Sequence, residues 1–485
     1  MNSLVKKPCF FSMPKGFNAL FFTQLFSTIS FAVMYATLVL YMKQQLRMTS
    51  TEADLITGVY FACNFALHLL SGYLGGRLFS YRGLVVIGVF FQLIGCLCLS
   101  HSTIVTLYWG MACMLVGTGT MVTCLNMLIS QLFQPDEVEK RQTGFLWNYS
   151  GMNVGFLLGF TLAGYYQIHV NYTVLFFITA ANNVLAFIIL LSQWECMADK
   201  NTIFSRASRT IKYSRNLWGL LIILILVPVL HWLLLHTHFS DDLVLTIGVI
   251  VALCLLIIIA RYSGPERNKF LAFYILLLSA QIFWIVYQLA PMCLTLFAKY
   301  NVHLQVAGFQ IAPAWIQNIN SLTIVVGGPV LGVLFIAMQR RRKSPLLPLQ
   351  FSTGLALSGL GLLILPIGIV FAHNGYVSFI WLFATYVLQA IAELCISPIG
   401  YSMVGQLVPI RWQSLCMGST LLNSGVAAVL ASYFSNYAIG KSGSSNPLIT
   451  NPSYSHSFYL LGWMTLSMAI ILFMLQPLLH RLMRN

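Results

Sequence analysis

Acidic side chains are scarce in this chain. Asp and Glu together number 11 in 485 residues, and all charged types make up only 8%. A soluble globular domain carries about 25% charged residues, so the deficit excludes that class. Metal-type and redox cysteine spacings are missing as well. The 11 cysteines are scattered, and Cys96-Leu-Cys98 puts its sulfurs two residues around a helix, which is no CxxC site. They read as small apolar packing residues. With no nucleophile–base set and no metal cluster, neither an enzyme nor a cofactor is expected. A short apolar core ending in a small-residue cleavage site is absent too. MNSLVKKPCFFSMPKGF leads into a full-length apolar run, so no cleavable signal peptide is expected.

What is present is length and hydrophobicity: 58% of residues are hydrophobic. A spanning helix needs about 20 apolar residues. Fourteen runs qualify, at roughly 17–42, 53–76, 82–100, 104–133, 143–165, 173–194, 216–236, 243–260, 270–298, 312–338, 347–372, 376–406, 413–438 and 456–480. The chain therefore reads as an all-α, multi-pass membrane protein.

The net charge of +15 would suit a nucleic-acid partner, but its distribution argues for a bilayer instead. With fourteen spans both termini share one side, and 22 of the 26 Lys and Arg fall there. Only Lys43, Arg47, Lys299 and Lys441 lie opposite. Positive charge stays cytoplasmic, so both termini are expected inside. The run Arg340 to Lys343 reads as a topology anchor. Asn171-Tyr-Thr fits a glycosylation acceptor, a weak signal so close to a span end.

Ten of the acids lie in loops or at span ends: Glu52, Asp54, Asp136, Glu137, Glu139, Glu195, Asp199, Asp241, Asp242 and Glu266. The exception is Glu393, inside LQAIAELCISPIGYSMV. A carboxylate near the bilayer centre costs at least ~2.5 kcal/mol, and such residues usually mark solute or ion pathways. A neutral Glu bonded to helix neighbours is the structural alternative.

The runs fall into six spans, a basic linker near 196–215, a two-span hairpin and six more spans. The hairpin, 216–260, is almost wholly aliphatic and is expected to face lipid. Its His231 reads as a packed, neutral side chain. Segments 1–195 and 268–485 read as two six-helix halves, with 196–267 as linker and hairpin. Transporters built from repeated halves hold their solute near the midplane between them. Asn153 with Gly151 and Gly155, Asn320 with Gly327 and Gly328, and Pro398 with Gly400 interrupt core spans. Such positions permit kinks and close packing.

Seven segments, in order, resemble one known family. Ala36-Thr-Leu-Val-Leu-Tyr41 is similar to the end of its first helix, and Gly72-Tyr-Leu-Gly-Gly-Arg77 to its loop motif after helix two. Tyr149-Ser-Gly-Met-Asn153-Val-Gly155 resembles FYxxINxG of helix five. Phe283-Trp284-Ile-Val-Tyr287-Gln288 with Leu294-Thr-Leu-Phe-Ala resembles FWxxFEQ…LxLFA of helix seven. Trp315-Ile-Gln-Asn-Ile-Asn320 is similar to WFQSLN. Glu393-Leu-Cys-Ile-Ser397-Pro398-Ile-Gly400 matches ELxxSPxG, and Arg411-Trp-Gln-Ser-Leu-Cys-Met-Gly418 its continuation. On these motifs the chain resembles the proton-coupled oligopeptide transporters of the major facilitator superfamily. The resemblance implies two six-helix bundles plus a two-helix insertion, as in the family's bacterial branch.

The departures are systematic. The family's ExxER positions correspond to Gln24, Ser27 and Thr28, and the second basic residue of that helix to Tyr35. The helix-four Lys corresponds to Val122, and the helix-seven acid to Tyr287 or Gln288. The Asp of the loop motif is Gly76, and a helix-eleven pocket Trp is Thr420. A helix-two Tyr is Phe65, and the Pro one turn on is His68. Both ends of the outer charge pair are thus neutral, which leaves no lone buried charge. Of the inner pair only the acid, Glu393, remains, and desolvation favours its neutral form.

By resemblance, Glu393 receives a peptide amino terminus. The expected ligand is a small peptide or an amine-bearing, peptide-like solute, moved by alternating access with weakened or absent proton coupling. Tyr35, Tyr149, Asn153, Gln288 and Asn320 are the expected neutral contacts, with Trp284, Ser397 and His68 completing the candidate set. One alternative is an orthodox proton-coupled di- or tripeptide symporter, with Glu393 and His68 carrying the proton. Another is a non-transporting receptor or scaffold on the same fold. The expected setting is a monomer in a bacterial inner membrane, with no nucleic-acid partner.

Overall fold

A backbone inside hydrocarbon must satisfy its own N–H and C=O groups, which leaves helices as the economical solution for long apolar runs. The computed structural model follows that rule. It describes residues 13–134, 137–200, 202–306, 308–340, 347–440 and 444–484. Most of the basic run Arg340 to Lys343 lies outside these residues, as do Asp136 and Lys441.

The helices of the first half are α1 (Phe17–Gln44), α2 (Ser50–Leu74), α3 (Tyr81–Ser100), α4 (Ile104–Leu132), α5 (Val138–Ile168) and α6 (Tyr172–Ser192). The hairpin is α7 (Arg209–Leu235) and α8 (Thr237–Ala260). Then come α9 (Gly264–Gln288), α10 (Cys293–Asn301), α11 (Pro313–Arg340), α12 (Leu347–Val370), α13 (Phe379–Leu407), α14 (Gln413–Ile439), α15 (Pro447–Met474) and the short α16 (Gln476–Arg484). Among the described residues twelve spans are long and apolar enough to cross a membrane, with α9 and α10 counted as one. The remaining long helices, α5 and α11, have 31 and 28 residues.

Helix ends are fixed locally. Ser80 accepts from the Gly83 N–H at the start of α3, and Thr103 with Thr106 forms a capping box on α4. Asn171 spends its side-chain oxygen on the Val174 N–H of α6. Gly440, at φ 72°, ends α14 in a conformation other residues adopt at a cost.

The chain packs as two compact units. One holds Met1–Tyr35 and Ala66–Leu235; the other holds Ala36–Phe65 and His236–Asn485. In the first, α3 packs on α4 and α6; in the second, α12 packs on α13 and α15. The same packing pattern thus recurs in the two units. Glycines set the closest approaches. A Cβ on Gly117 of α4 would lie 2.5 Å from Gln92 Cγ and 2.8 Å from the Gly88 carbonyl of α3. A Cβ on Gly359 of α12 would lie 2.9 Å from the Leu466 nitrogen of α15. Gly117→Leu is therefore expected to destabilise by about 1–3 kcal/mol or more through overpacking. Gly405→Ala, where nothing among the described residues lies within 4 Å, should be tolerated. Thermal unfolding in detergent compares the two.

The hairpin divides between the units. In the first, α7 packs on α4, where His231 stacks on Trp109 at 4.1 Å. In the second, α8 packs on α14. Both helices are largely exposed, as an aliphatic surface facing lipid should be. The start of α8 departs from that expectation by burying Ser240 and Asp241 completely or nearly so. Asp54 also differs from its sequence reading. It lies a full turn inside α2 and is fully buried.

The linker after α6 is stapled to the first unit. Asp199 accepts from the Tyr81 N–H at the start of α3 at 2.8 Å. Arg82 donates to the Trp194 carbonyl at 2.7 Å and covers its ring. Burial pushes the Asp199 carboxyl above its ordinary range, and backbone N–H groups of Tyr81 and Arg82 oppose that rise. An anion at a helix N-terminus is favourable, so Asp199→Ala should cost about 1 kcal/mol, read as a lower unfolding temperature.

Candidate functional site

In the second unit the candidate residues gather around α13. Apolar packing of α9, α11 and α13 carries Glu393 to a half-buried position, where Asn320 Nδ2 of α11 donates to its Oε2 at 3.0 Å. The Tyr287 hydroxyl of α9 is the other side chain bonded to this carboxyl. No ion pair to Glu393 occurs among the described residues, whose one ion pair is Lys140–Glu137. Pro398 lies within α13 and has no N–H to offer the Leu394 carbonyl, so a backbone acceptor is freed beside Glu393.

A second polar set lies one turn away. Gln317 Nε2 donates to the Ala290 carbonyl at 3.1 Å and to the Tyr386 hydroxyl at 3.2 Å. Trp284 stands edge-on to Tyr287, with ring centroids 5.4 Å apart. It also lines a small cavity of about 30 Å³ with Phe351, Ile396, Ser397, Gly400, Thr420, Asn423 and Ser424 among others. That is room for a water molecule. Thr420, where the resemblance puts a Trp, leaves part of that space open. Gln288 is buried, and its side-chain oxygen has no hydrogen-bond partner among the described residues.

In the first unit the candidates lie on α1, α2 and α5. Gly151, Gly155 and Gly159 of α5 meet Phe21, Leu25, Thr28, Ile29 and Ala32 of α1 so closely that a Cβ at each would sit 2.6 Å from its neighbour. These glycines therefore set a helix contact. That contact places Tyr35 against Phe31 and Phe160, at 6.1 and 6.2 Å between centroids. Asn153 is buried and donates to the Tyr149 carbonyl at 2.9 Å, while the Tyr149 side chain is half exposed. The His68 carbonyl accepts from the Ser71 and Thr123 hydroxyls at 2.9 and 3.1 Å.

The positions that correspond to ExxER form closed neutral pairs. Gln24 Nε2 donates to Thr28 Oγ1 at 3.1 Å, and Thr28 Oγ1 donates to the Gln24 carbonyl at 2.7 Å. Ser27 and the Gln92 amide of α3 exchange bonds at 2.9 and 2.8 Å. All four side chains are buried. Their polar groups are satisfied without a proton or a charge.

Tyr287 and Asp54 fell outside the candidate set. The motif left Tyr287 and Gln288 equally eligible; adjacent helix residues point about 100° apart, and the fold separates them. Nothing local marked Asp54, because its partner Ser435 is 381 residues away.

A sequence profile of the POT family matches residues 82–442. The chain is 27% identical to "Dipeptide and tripeptide permease B" of Xenorhabdus bovienii over 479 residues, 97% of each chain. It is also 27% identical to "Dipeptide and tripeptide permease A" of Salmonella typhimurium, over 98% of this chain and 94% of that one. Among solved structures, a peptide transporter POT in complex with sulfate superposes with a TM-score of 0.87 at 23% identity, covering 99% and 98% of the two chains. A POT family transporter in complex with 5-aminolevulinic acid superposes at 0.82, with 23% identity and 98% of both chains. These likenesses establish the major facilitator fold.

Proposed function

The chain belongs to the POT family, and from that premise we propose that it moves small peptides or amine-bearing, peptide-like solutes by alternating access, with weakened proton coupling. It is a multi-pass membrane protein and not an enzyme. The carrying observation is Glu393: a carboxyl held by two neutral donors, Asn320 and Tyr287, with no cation paired to it among the described residues. An ammonium group arriving there gains a charge-assisted bond, roughly twice as strong as a neutral one. The small cavity lined by Trp284, Ser397 and Thr420 would have to widen to admit a ligand side chain. Tyr35, Tyr149, Asn153, Asn320, Gln288 and His68 complete the proposed neutral contacts.

In this reading residues 1–195 and 268–485 are the two bundles and 196–267 the insertion. The protein works as a monomer in a bacterial inner membrane with both termini cytoplasmic. Cysteine labelling at position 206 from the cytoplasmic side only is the expected topology result.

Weakened coupling is supported by the closed pairs Gln24–Thr28 and Ser27–Gln92, which occupy the family's charged positions with neutral groups. Orthodox proton-driven symport is the second reading, favoured by full-length relatives named as dipeptide and tripeptide permeases. Proteoliposome uptake of labelled dipeptides and amines decides between them. We expect saturable uptake without strong accumulation when an inward proton gradient is imposed. Strong accumulation that an uncoupler collapses would establish the second reading; no uptake and no binding would leave a scaffold.

A further inference from the structure

The second unit contains a buried acid that the proposed site does not use. Asp54 lies on α2, and α2 runs antiparallel to α14 along a face of small residues. A Cβ on Gly58 would lie 2.8 Å from Ser432 Cβ and 3.1 Å from the Ala428 carbonyl. One on Gly425 would lie 3.3 Å from the Ala62 carbonyl. At the end of this face the Ser435 hydroxyl of α14 donates to Asp54 Oδ2. Asp54 is 0% exposed, and its Oδ1 has no hydrogen-bond partner among the described residues.

The surroundings do not neutralise it by contact. The titratable groups that act on it are Lys43 of α1, Cys293 of α10 and Tyr454 of α15, with Tyr300 of α10 beyond. Lys43 is the one cation among them, and its ammonium is engaged elsewhere. It donates to Ser50 Oγ at 2.7 Å and sits 4.3 Å over the Tyr300 ring. Glu52, the other acid of α2, is exposed and bonded to Thr49.

We propose that Asp54 is a proton-binding site built into the α2–α14 contact, which holds a proton while the contact is closed and releases it when the contact opens. An ionised carboxylate with one hydrogen bond and no touching cation is costly to bury, and a neutral one is far less so. Separating α2 from α14 hydrates the group and removes that cost. Proton occupancy and closure are therefore linked: acidification closes the contact and alkaline conditions open it. The site stands apart from the ExxER positions, whose neutrality it leaves unchanged. It deepens the proposed transport cycle by adding a proton-sensitive step to it, and its test needs no ligand.

The test is a distance measurement on the full-length protein in nanodiscs. Spin labels go on Gln45→Cys and Tyr437→Cys, both exposed positions, with Cys9, Cys196 and Cys254 changed to Ser. Wild type should show a short and a long population. The short one should grow as pH falls, by up to about tenfold in ratio per pH unit, the limit for one proton. Asp54→Asn keeps an acceptor for Ser435 and should lock the short distance at every pH. Ser435→Ala should keep the pH dependence and move its midpoint. Wild-type pH dependence in Asp54→Asn, or a pH-invariant distance in wild type, overturns the proposal. Loss of ligand binding would count against Glu393 and leave these distances unaffected.

Discussion

Glu393→Gln should weaken binding of amine-bearing ligands by roughly tenfold to 150-fold while leaving the protein folded. A hydrogen bond to a charged group contributes about 1.5–3 kcal/mol, and only the charged half of the bond is removed. The fold should survive because the amide oxygen can occupy the position of Oε2, where Asn320 Nδ2 already donates at 3.0 Å. Calorimetric titration with a dipeptide and its des-amino analogue separates the effects. The analogue, lacking the ammonium, should bind wild type and variant alike. Asn320→Ala should cost less, about 1 kcal/mol, since it removes one orienting bond and leaves the charge. Equal dipeptide affinity in wild type and a well-folded Glu393→Gln would exclude this carboxylate from the site.

Glu393 was legible because its signal is local: one acid in an apolar run has a cost that flanking sequence alone reveals. The helices were legible for the same reason, since spanning length is a property of each segment. Their limits were less so. The fifth run, 143–165, extends in the structure to α5, Val138–Ile168. Its polar first turns carry no hydrophobic signal. The run 270–298 is broken between Gln288 and Cys293, where α9 gives way to α10.

Tertiary facts were hidden. Whether a glycine packs or bends depends on what faces it. Gly155 of α5 meets the Leu25 carbonyl, while Gly400 of α13 meets nothing within 4 Å among the described residues. Asp54 illustrates the limit most clearly. From sequence it is an acid four residues into a helix, a common exposed position. Its complete burial is created by Gly58 on its own helix and by Ser432 and Ser435 on a distant one. The family resemblance could not supply it either, since none of the motifs covers residues 50–58.

Restoring an acid at the first ExxER position should harm the protein rather than recover coupling. Gln24 is buried, and its amide donates to a Thr28 hydroxyl whose own hydrogen is committed to the Gln24 carbonyl. An ionised Gln24→Glu side chain would put an acceptor where a donor is needed. Rotating Thr28 to satisfy it would strand the backbone carbonyl. The bonds given for Gln24 are all to neutral groups, so the expected cost is several kcal/mol, the range for an uncompensated buried charge. The sign with pH follows. Below the ordinary Glu range near 4.3 the new acid is neutral in folded and unfolded states alike, and its O–H can donate to Thr28 as the amide did. The loss of stability should therefore be small at acid pH and grow as pH rises through neutrality. Unfolding temperatures of wild type and variant, measured in one detergent from pH 4 to 8, should diverge steadily. Parallel curves would mean that water or an unrecognised cation reaches Gln24, and that this end of α1 is less sealed than the bonds between Gln24, Thr28, Ser27 and Gln92 require.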